Sequence, residues 1–344
     1  MKTKLPLLRA CWKERLARPP VWFMRQAGRY MEEYRAVRAK YTIKEISKNP
    51  ELAAQVTLDP VKKLGVDAAI LFSDILLIAE PMGFQLDYKK GEGPAFANPI
   101  TDLRSIKNIR LFDVHEEMRF TTEALGLIKR ALAPSVALIG FAGAPFTLAS
   151  YLIEGGHSPT YLKTKRLMHC EPKSWHLLMN KLAQATRDYL AAQIEAGADV
   201  VQLFDSWIGC LAPQDFKEFV LPHVQSIIQH LKKYQAPVIY FGTGTAGLLH
   251  LMKLSGAEVI GADWRIPLGE AWKKIGQNLA IQGNLDPAVL LAPRPIIRRH
   301  VLKILDEAQG RPGHIFNLGH GILPETPRDN ARYVVELIHG HNRQ

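Results

Sequence analysis

Cysteine is scarce in this 344-residue chain, which has only Cys11, Cys170 and Cys210. Three scattered thiols exclude a disulfide framework and a four-ligand thiolate zinc site, and they fit a reducing compartment. No apolar run reaches the 18 residues of a membrane-spanning helix. The opening MKTKLPLLRACWKERLARPP lacks the uninterrupted apolar stretch of a secretory leader, so the expected location is cytoplasmic. Blocks of one charge are missing too. Lys+Arg outnumber Asp+Glu by 44 to 33, a net +11, yet the basic runs are pairs such as Lys62-Lys63, Lys232-Lys233 and Arg298-Arg299. With no zinc-finger spacing and no basic heptad region, a nucleic-acid partner is not expected, and the positive balance points instead to a polyanionic small molecule. Low-complexity linkers and shifts of composition are absent, so residues 1–344 are expected to form one domain.

What the chain does contain is a regularity. Short β-branched-rich apolar runs recur at 21–24, 68–72, 136–141, 199–204, 237–242, 258–263, 279–284 and 314–319. Most are continuous rather than alternating, as parallel strands covered on both faces should be. Helical spacing fills the intervals, as in 174–197 and 213–235, and glycines precede the next strand in AGADVV and SGAEVI, where a helix C′ residue belongs. Eight strands alternating with helices predict a (β/α)8 barrel of the TIM type. A doubly wound sheet is the alternative, but the glycine fingerprint after its first strand is missing. FGTGTAG at 241–247 has neither P-loop nor dinucleotide spacing and reads as a βα loop.

Barrel enzymes build their sites at the carboxyl ends of the strands. Those ends carry Arg25-Gln26, Ser73-Asp74, Gly143-Ala144-Pro145, Asp205-Ser206, Asp263-Trp264, Gly283-Asn284 with Asp286, and Gly319-His320-Gly321. Polar or glycine-rich ends on nearly every strand imply one converging pocket, with Arg25 and Arg29 of the segment RQAGR facing it and holding an anion.

The stretches PVWFMRQAGRYMEEYR (20–35), FSDIL (72–76), IGFAGAPFTLASYLIEGG (139–156), QLFDSW (202–207), QGNLDP (282–287) and NLGHGILPETP (317–327) resemble the uroporphyrinogen decarboxylase family from about residue 7 to the last helix. The resemblance implies a (β/α)8 barrel, usually a homodimer, that removes the four acetate carboxyl groups of uroporphyrinogen without metal or organic cofactor. It also implies roles. Arg25, Gln26 and Arg29 line the carboxylate-binding mouth, with Arg35 either beside them or structural. Asp74 accepts from the inward pyrrole N–H groups, its alternative being a helix N-cap after strand two. Tyr151, Ser206 and His320 meet substrate carboxylates, and Phe204 lies against the macrocycle or in the core. Asp74, Arg25, Tyr151 and His320 are the implied catalytic set. Three positions depart from the family's usual residues: Glu32 for proline, His157 for a third glycine and Ile208 for alanine. They bear on loop stiffness and the pocket rim more than on reaction type.

The substrate so implied agrees with the composition. An octacarboxylate needs arginine, whose planar fork grips a carboxylate bidentately and stays charged. Protonating a pyrrole carbon creates an electron sink, so no pyridoxal or thiamine is required. Two other readings remain. A cobamide-dependent methyltransferase of the same superfamily needs a zinc-binding His-x-Cys after strand five and a further cysteine near strand eight, where this chain has Tyr240-Phe241-Gly242 and Gly319-His320. A non-catalytic tetrapyrrole carrier needs the arginines but not Asp74, Tyr151 and His320 together.

Overall fold

The computed structural model describes residues 5–89 and 93–341. Its strands are β1 (Ala68–Ile70), β2 (Leu86–Lys89), β3 (Gly93–Phe96), β4 (Ala137–Gly143), β5 (Val200–Asp205), β6 (Val238–Gly242), β7 (Val259–Gly261), β8 (Ala280–Leu285) and β9 (His314–Leu318). Seven of them form one parallel sheet in the order β1-β4-β5-β6-β7-β8-β9. Helices lie between successive strands, among them Pro145–Glu154, Pro172–Glu195, Leu221–Leu231 and Arg294–Ala308. All seven residues of β4 are buried, because helices cover one face and the barrel interior fills the other. Gly140 shows how tightly that cover fits. A Cβ there would stand 2.6 Å from Oε1 of Gln193, whose amide brackets the neighbouring Phe141 backbone with bonds of 2.8 and 2.9 Å.

The run 21–24 differs from the expected eighth strand. It makes a single parallel bridge, Val21 to Phe316, and the barrel closes there. Trp22 N–H donates to Phe316 O, and Asp67 N–H donates to Val21 O, so this one turn of chain joins β9 to the start of β1. The reason it is not a longer ladder is that side chains take its other donors. Val21 N–H goes to Asp67 Oδ2 at 2.8 Å, Phe23 N–H to Gln26 Oε1 at 3.2 Å and Met24 N–H to Asn317 Oδ1 at 3.0 Å. Asp67 is the clamp of this seam. Arg18 meets it with both terminal nitrogens at 2.8 and 2.9 Å, and His339 of the last helix approaches at 3.3 Å.

Inside the barrel a buried polar chain runs from Trp22 Nε1 to Gln282 Oε1 (3.1 Å), from Gln282 Nε2 to Gln202 Oε1 (3.0 Å) and on to the Met24 sulfur (3.6 Å). It ties the seam segment to β5 and β8 across the centre, with each buried donor matched to an acceptor. One element has no counterpart among the expected strands: β2 and β3 form an antiparallel hairpin inserted after β1. It is anchored on the helix Pro145–Glu154, with Phe96 N–H donating to Gly155 O and Ile100 N–H to Leu152 O.

Candidate active site

The seam segment continues into Arg25, which adopts a left-handed backbone with φ 58°. A residue with a Cβ pays about 1–2 kcal/mol for that conformation, so surrounding contacts must hold it. Gln26 supplies them. Fully buried, its amide accepts from Phe23 N–H and donates to Ala68 O at 3.0 Å, while Gln26 O accepts from the Tyr30 hydroxyl at 2.6 Å. Gln26 therefore does not reach the cavity. Its place is the joint between the seam and β1, which corrects the expectation that it lines the carboxylate mouth: both ends of the amide are spent on backbone. The strained turn projects the Arg25 side chain across Gly321, where a Cβ would come within 2.4 Å of Cδ. Arg29 is exposed on the same loop, and Arg35 donates to its carbonyl at 2.9 Å, a structural tether.

Asp74 follows β1. Its Oδ1 accepts from Leu76 N–H at 2.8 Å, a local bond leading into the turn Leu77–Ala79, whose N-cap is Leu76 with no side-chain cap, so Asp74 is not a helix N-cap. The residue is half-buried. Burial raises its pKa, opposed by the Leu76 amide, the Tyr88 hydroxyl and the Arg25 charge. Tyr151, from the helix Pro145–Glu154, faces both Asp74 and Arg25, and burial pushes its phenol well up, leaving it a donor at any working pH. Its ring packs on Trp207 with centroids 4.0 Å apart, and Tyr161 lies against the same indole at 5.1 Å.

His320 extends β9 towards the same space. Burial first, then the Arg25 and Arg265 charges, push its pKa down to about 4, so the imidazole is neutral at pH 7. Arg265 is itself paired with the buried Asp263 and covers the Trp264 ring at 4.0 Å. Asp263 also accepts from Gly244 N–H at 2.6 Å, so the glycine-rich loop after β6 supports this pair rather than a phosphate.

Phe204 is half-buried at the end of β5, edge-on to Phe141 at 5.6 Å and to Phe241 at 6.0 Å. Next to it Asp205 is fully buried and accepts from Thr147 Oγ1 and Tyr240 OH, both at 2.8 Å. Burial dominates and carries its pKa up to about 7 in spite of those donors. Asp205 thus faces inward and braces Ser206, whose half-buried side chain leaves the carbonyl to accept from the Thr243 hydroxyl. Of the three departures, Glu32 opens the helix Glu32–Arg38, a first-turn position where proline also fits. His157 stands edge-on to Trp207 at 5.8 Å, and Ile208 is buried against Gly242.

Arg25 lies within electrostatic reach of Asp74, Tyr151 and His320, and Asp74 within reach of Tyr151. The structure adds three groups that sequence reasoning missed: Tyr88 beside Asp74, Trp207 under Tyr151, and Arg265 beside His320. The alternation in LDYKKGEGPAF, ending in a glycine-rich turn and proline, was the available signal for the hairpin that carries Tyr88.

Fold and site together define a barrel protein that gathers the Arg25 charge, the Tyr88 and Tyr151 phenols and His320 near Asp74 at the carboxyl ends of its strands. The uroporphyrinogen decarboxylase family model matches residues 2–341, and the chain belongs to that family. It is 52% identical over 332 residues to a uroporphyrinogen decarboxylase of Sorangium cellulosum, covering 96% of this chain and 95% of the other. With the Thermus thermophilus uroporphyrinogen decarboxylase it shares 53% identity over 332 residues, 96% of each chain. Among solved structures, a methyltransferase from Methanosarcina mazei superposes with TM-score 0.83 over 98% of both chains at 22% identity, a likeness of fold. No helix among the described residues is long and apolar enough to cross a membrane.

Proposed function

We propose that this chain, acting as one barrel domain, removes the four acetate carboxyl groups of uroporphyrinogen III as CO2 to give coproporphyrinogen III. The observation that carries this reading is the position of Asp74: a carboxylate just beyond the end of β1, with the Arg25 charge and the Tyr88 and Tyr151 phenols around it. A polyanion binding there meets Asp74 unfavourably unless it presents donors at its centre. The inward N–H groups of a cyclic tetrapyrrole are such donors.

The chemistry is then short. Protonation of the pyrrole carbon beside the acetate arm generates an iminium-like ring, the C–COO⁻ bond breaks into it, and CO2 leaves. A proton added at the exocyclic carbon gives the methyl group, and the ring releases the first proton. Asp74 stabilises the cationic ring, an electrostatic role that is largest in a water-poor pocket. Arg25 and Arg29 hold side-chain carboxylates. Tyr151 donates with a phenol that does not ionise, and Ser206 contributes a hydroxyl. A neutral His320 donates or accepts through either ring nitrogen; an approaching carboxylate offsets the Arg25 and Arg265 charges and favours its protonation. Phe204 offers a ring edge to the macrocycle face. A homodimer and a cytoplasmic location belong to the same reading and are supported by family membership; a monomer in sedimentation at assay concentration would remove the first.

The test is an anaerobic assay of purified protein with uroporphyrinogen III and no added metal or cofactor, products being oxidised and separated by carboxyl number. Stepwise conversion from eight to four carboxyl groups is expected. Tight porphyrinogen binding with no turnover would make the chain a carrier instead.

Gly321 provides a check on Arg25 that leaves Arg25 in place. Gly321→Ala puts a methyl group where the Arg25 side chain now crosses, forcing the guanidinium aside without demanding an unusual backbone. The kcat/KM should fall roughly tenfold to a hundredfold, the scale of a misplaced positioning group, with little change in thermal midpoint. Wild-type kinetics in this variant would show that Arg25 is not needed where it stands.

A further inference from the structure

The hairpin β2–β3 delivers one side chain that none of the roles above uses. Tyr88, paired across the hairpin with Pro94, has its ring against the core and its hydroxyl oxygen sealed from solvent. That hydroxyl faces the Asp74 carboxylate, yet it completes no hydrogen bond of normal length and angle. A sealed hydroxyl without a closed bond costs free energy, and the group opposite it is the one carboxylate the proposed chemistry depends on. Leu76 N–H already holds Oδ1 of Asp74, and the phenol is a second donor to the same carboxylate.

We infer that Tyr88 is a positioning residue for Asp74. Its phenol donates to the carboxylate, fixes the carboxylate's direction towards the substrate's pyrrole N–H groups, and keeps it ionised against the effect of burial. The inference rests on the role given to Asp74 above. The hairpin is built to hold the phenol there. Its far strand is tied to the helix Pro145–Glu154 by the Phe96 and Ile100 amides, and its near strand by Lys44, which donates to Leu86 O at 3.1 Å while paired with Glu80. Burial and the neighbouring Asp74 charge both raise the Tyr88 phenol, so it remains protonated and can only donate to a carboxylate. The ionisable groups facing Asp74 from its other sides are Arg25 on the seam loop, Tyr34 on the helix Glu32–Arg38, Tyr151 on Pro145–Glu154 and Tyr189 on Pro172–Glu195. Arg25 alone among them is charged at neutral pH, and Tyr88 is the side-chain donor directed at the carboxylate.

Tyr88→Phe removes the hydroxyl and keeps the ring. In full-length protein the Asp74 titration, read by carboxyl-carbon NMR with Asp74→Asn as the assignment control, should move up by about one pH unit, the shift expected from losing one donor to a charged acceptor. The acidic limb of the kcat profile should move with it, and kcat should fall about tenfold at neutral pH while KM stays within about twofold. In an Asp74→Asn background the same change should have no further effect. An unmoved Asp74 titration would overturn the inference. So would a raised KM with kcat and its pH profile unchanged, which would make Tyr88 a contact for substrate carboxylates. If the wild type shows no turnover, the functional reading fails while the NMR titration still decides the Tyr88–Asp74 bond.

Discussion

Replacing Asp74 with asparagine should lower kcat by at least about a hundredfold to a thousandfold while leaving the fold intact. The substitution separates two jobs. Asparagine retains a carbonyl oxygen for Leu76 N–H, so the bond leading into the turn Leu77–Ala79 survives and the thermal midpoint should stay within about 1–2 °C of wild type. What disappears is the negative charge beneath the macrocycle. Each of the four decarboxylations passes through a cationic pyrrole, so the same loss recurs at every step and partly decarboxylated intermediates should accumulate. The assay with products separated by carboxyl number reads both effects. Coproporphyrinogen formed at the wild-type rate would end the argument for Asp74 as the centre of the site.

The largest effect on stability should come from Asp67, far from the chemistry. Asp67→Ala leaves the Arg18 guanidinium and the Val21 amide without their acceptor at the one bridge that closes the barrel. Breaking a largely buried pair by deleting one member costs about 3–5 kcal/mol, equivalent in a chain of this length to a fall of roughly 5 °C in thermal midpoint. The wild-type pH dependence carries the same signature. Burial alone would raise the Asp67 pKa, but Arg18, His339 and the Val21 amide outweigh it and bring it down to about 2. A carboxyl group with its folded pKa below the unfolded value contributes stability above the unfolded pKa and loses it as pH falls through the folded one. About 2 kcal/mol should therefore be lost between pH 4 and pH 2 in the wild type. The Ala variant should lack that component. Urea midpoints measured across this window check the sign, and equal slopes in the two proteins would refute the clamp.

The strand runs beginning near residues 68, 136, 199, 237, 258, 279 and 314 were legible because parallel strands covered on both faces must be apolar throughout. Residues 21–24 looked the same, but whether a strand builds a ladder depends on which groups reach its amides. Asp67 and Asn317 do so from distant parts of the chain, and Gln26 folds back on Phe23 three residues before it. Gln26 shows the same limit from the other side. An amide between two arginines reads as a ligand-binding group until Ala68 O is found opposite it. The hairpin went unseen because a short half-exposed pair lacks the continuous apolar signal that marks the barrel strands.

By itself the sequence determined the barrel and the residue types that stand at the carboxyl ends of its strands. These follow from local periodicity and from residue types at strand ends, which are properties of neighbours along the chain. The tertiary structure alone decided that Arg25 lies over Gly321 in a left-handed turn, that Asp205 faces inward with a pKa near 7, and that Tyr88 comes from an inserted hairpin to stand beside Asp74. Each of these depends on burial and on a partner remote in sequence, and neither exists until the barrel has closed.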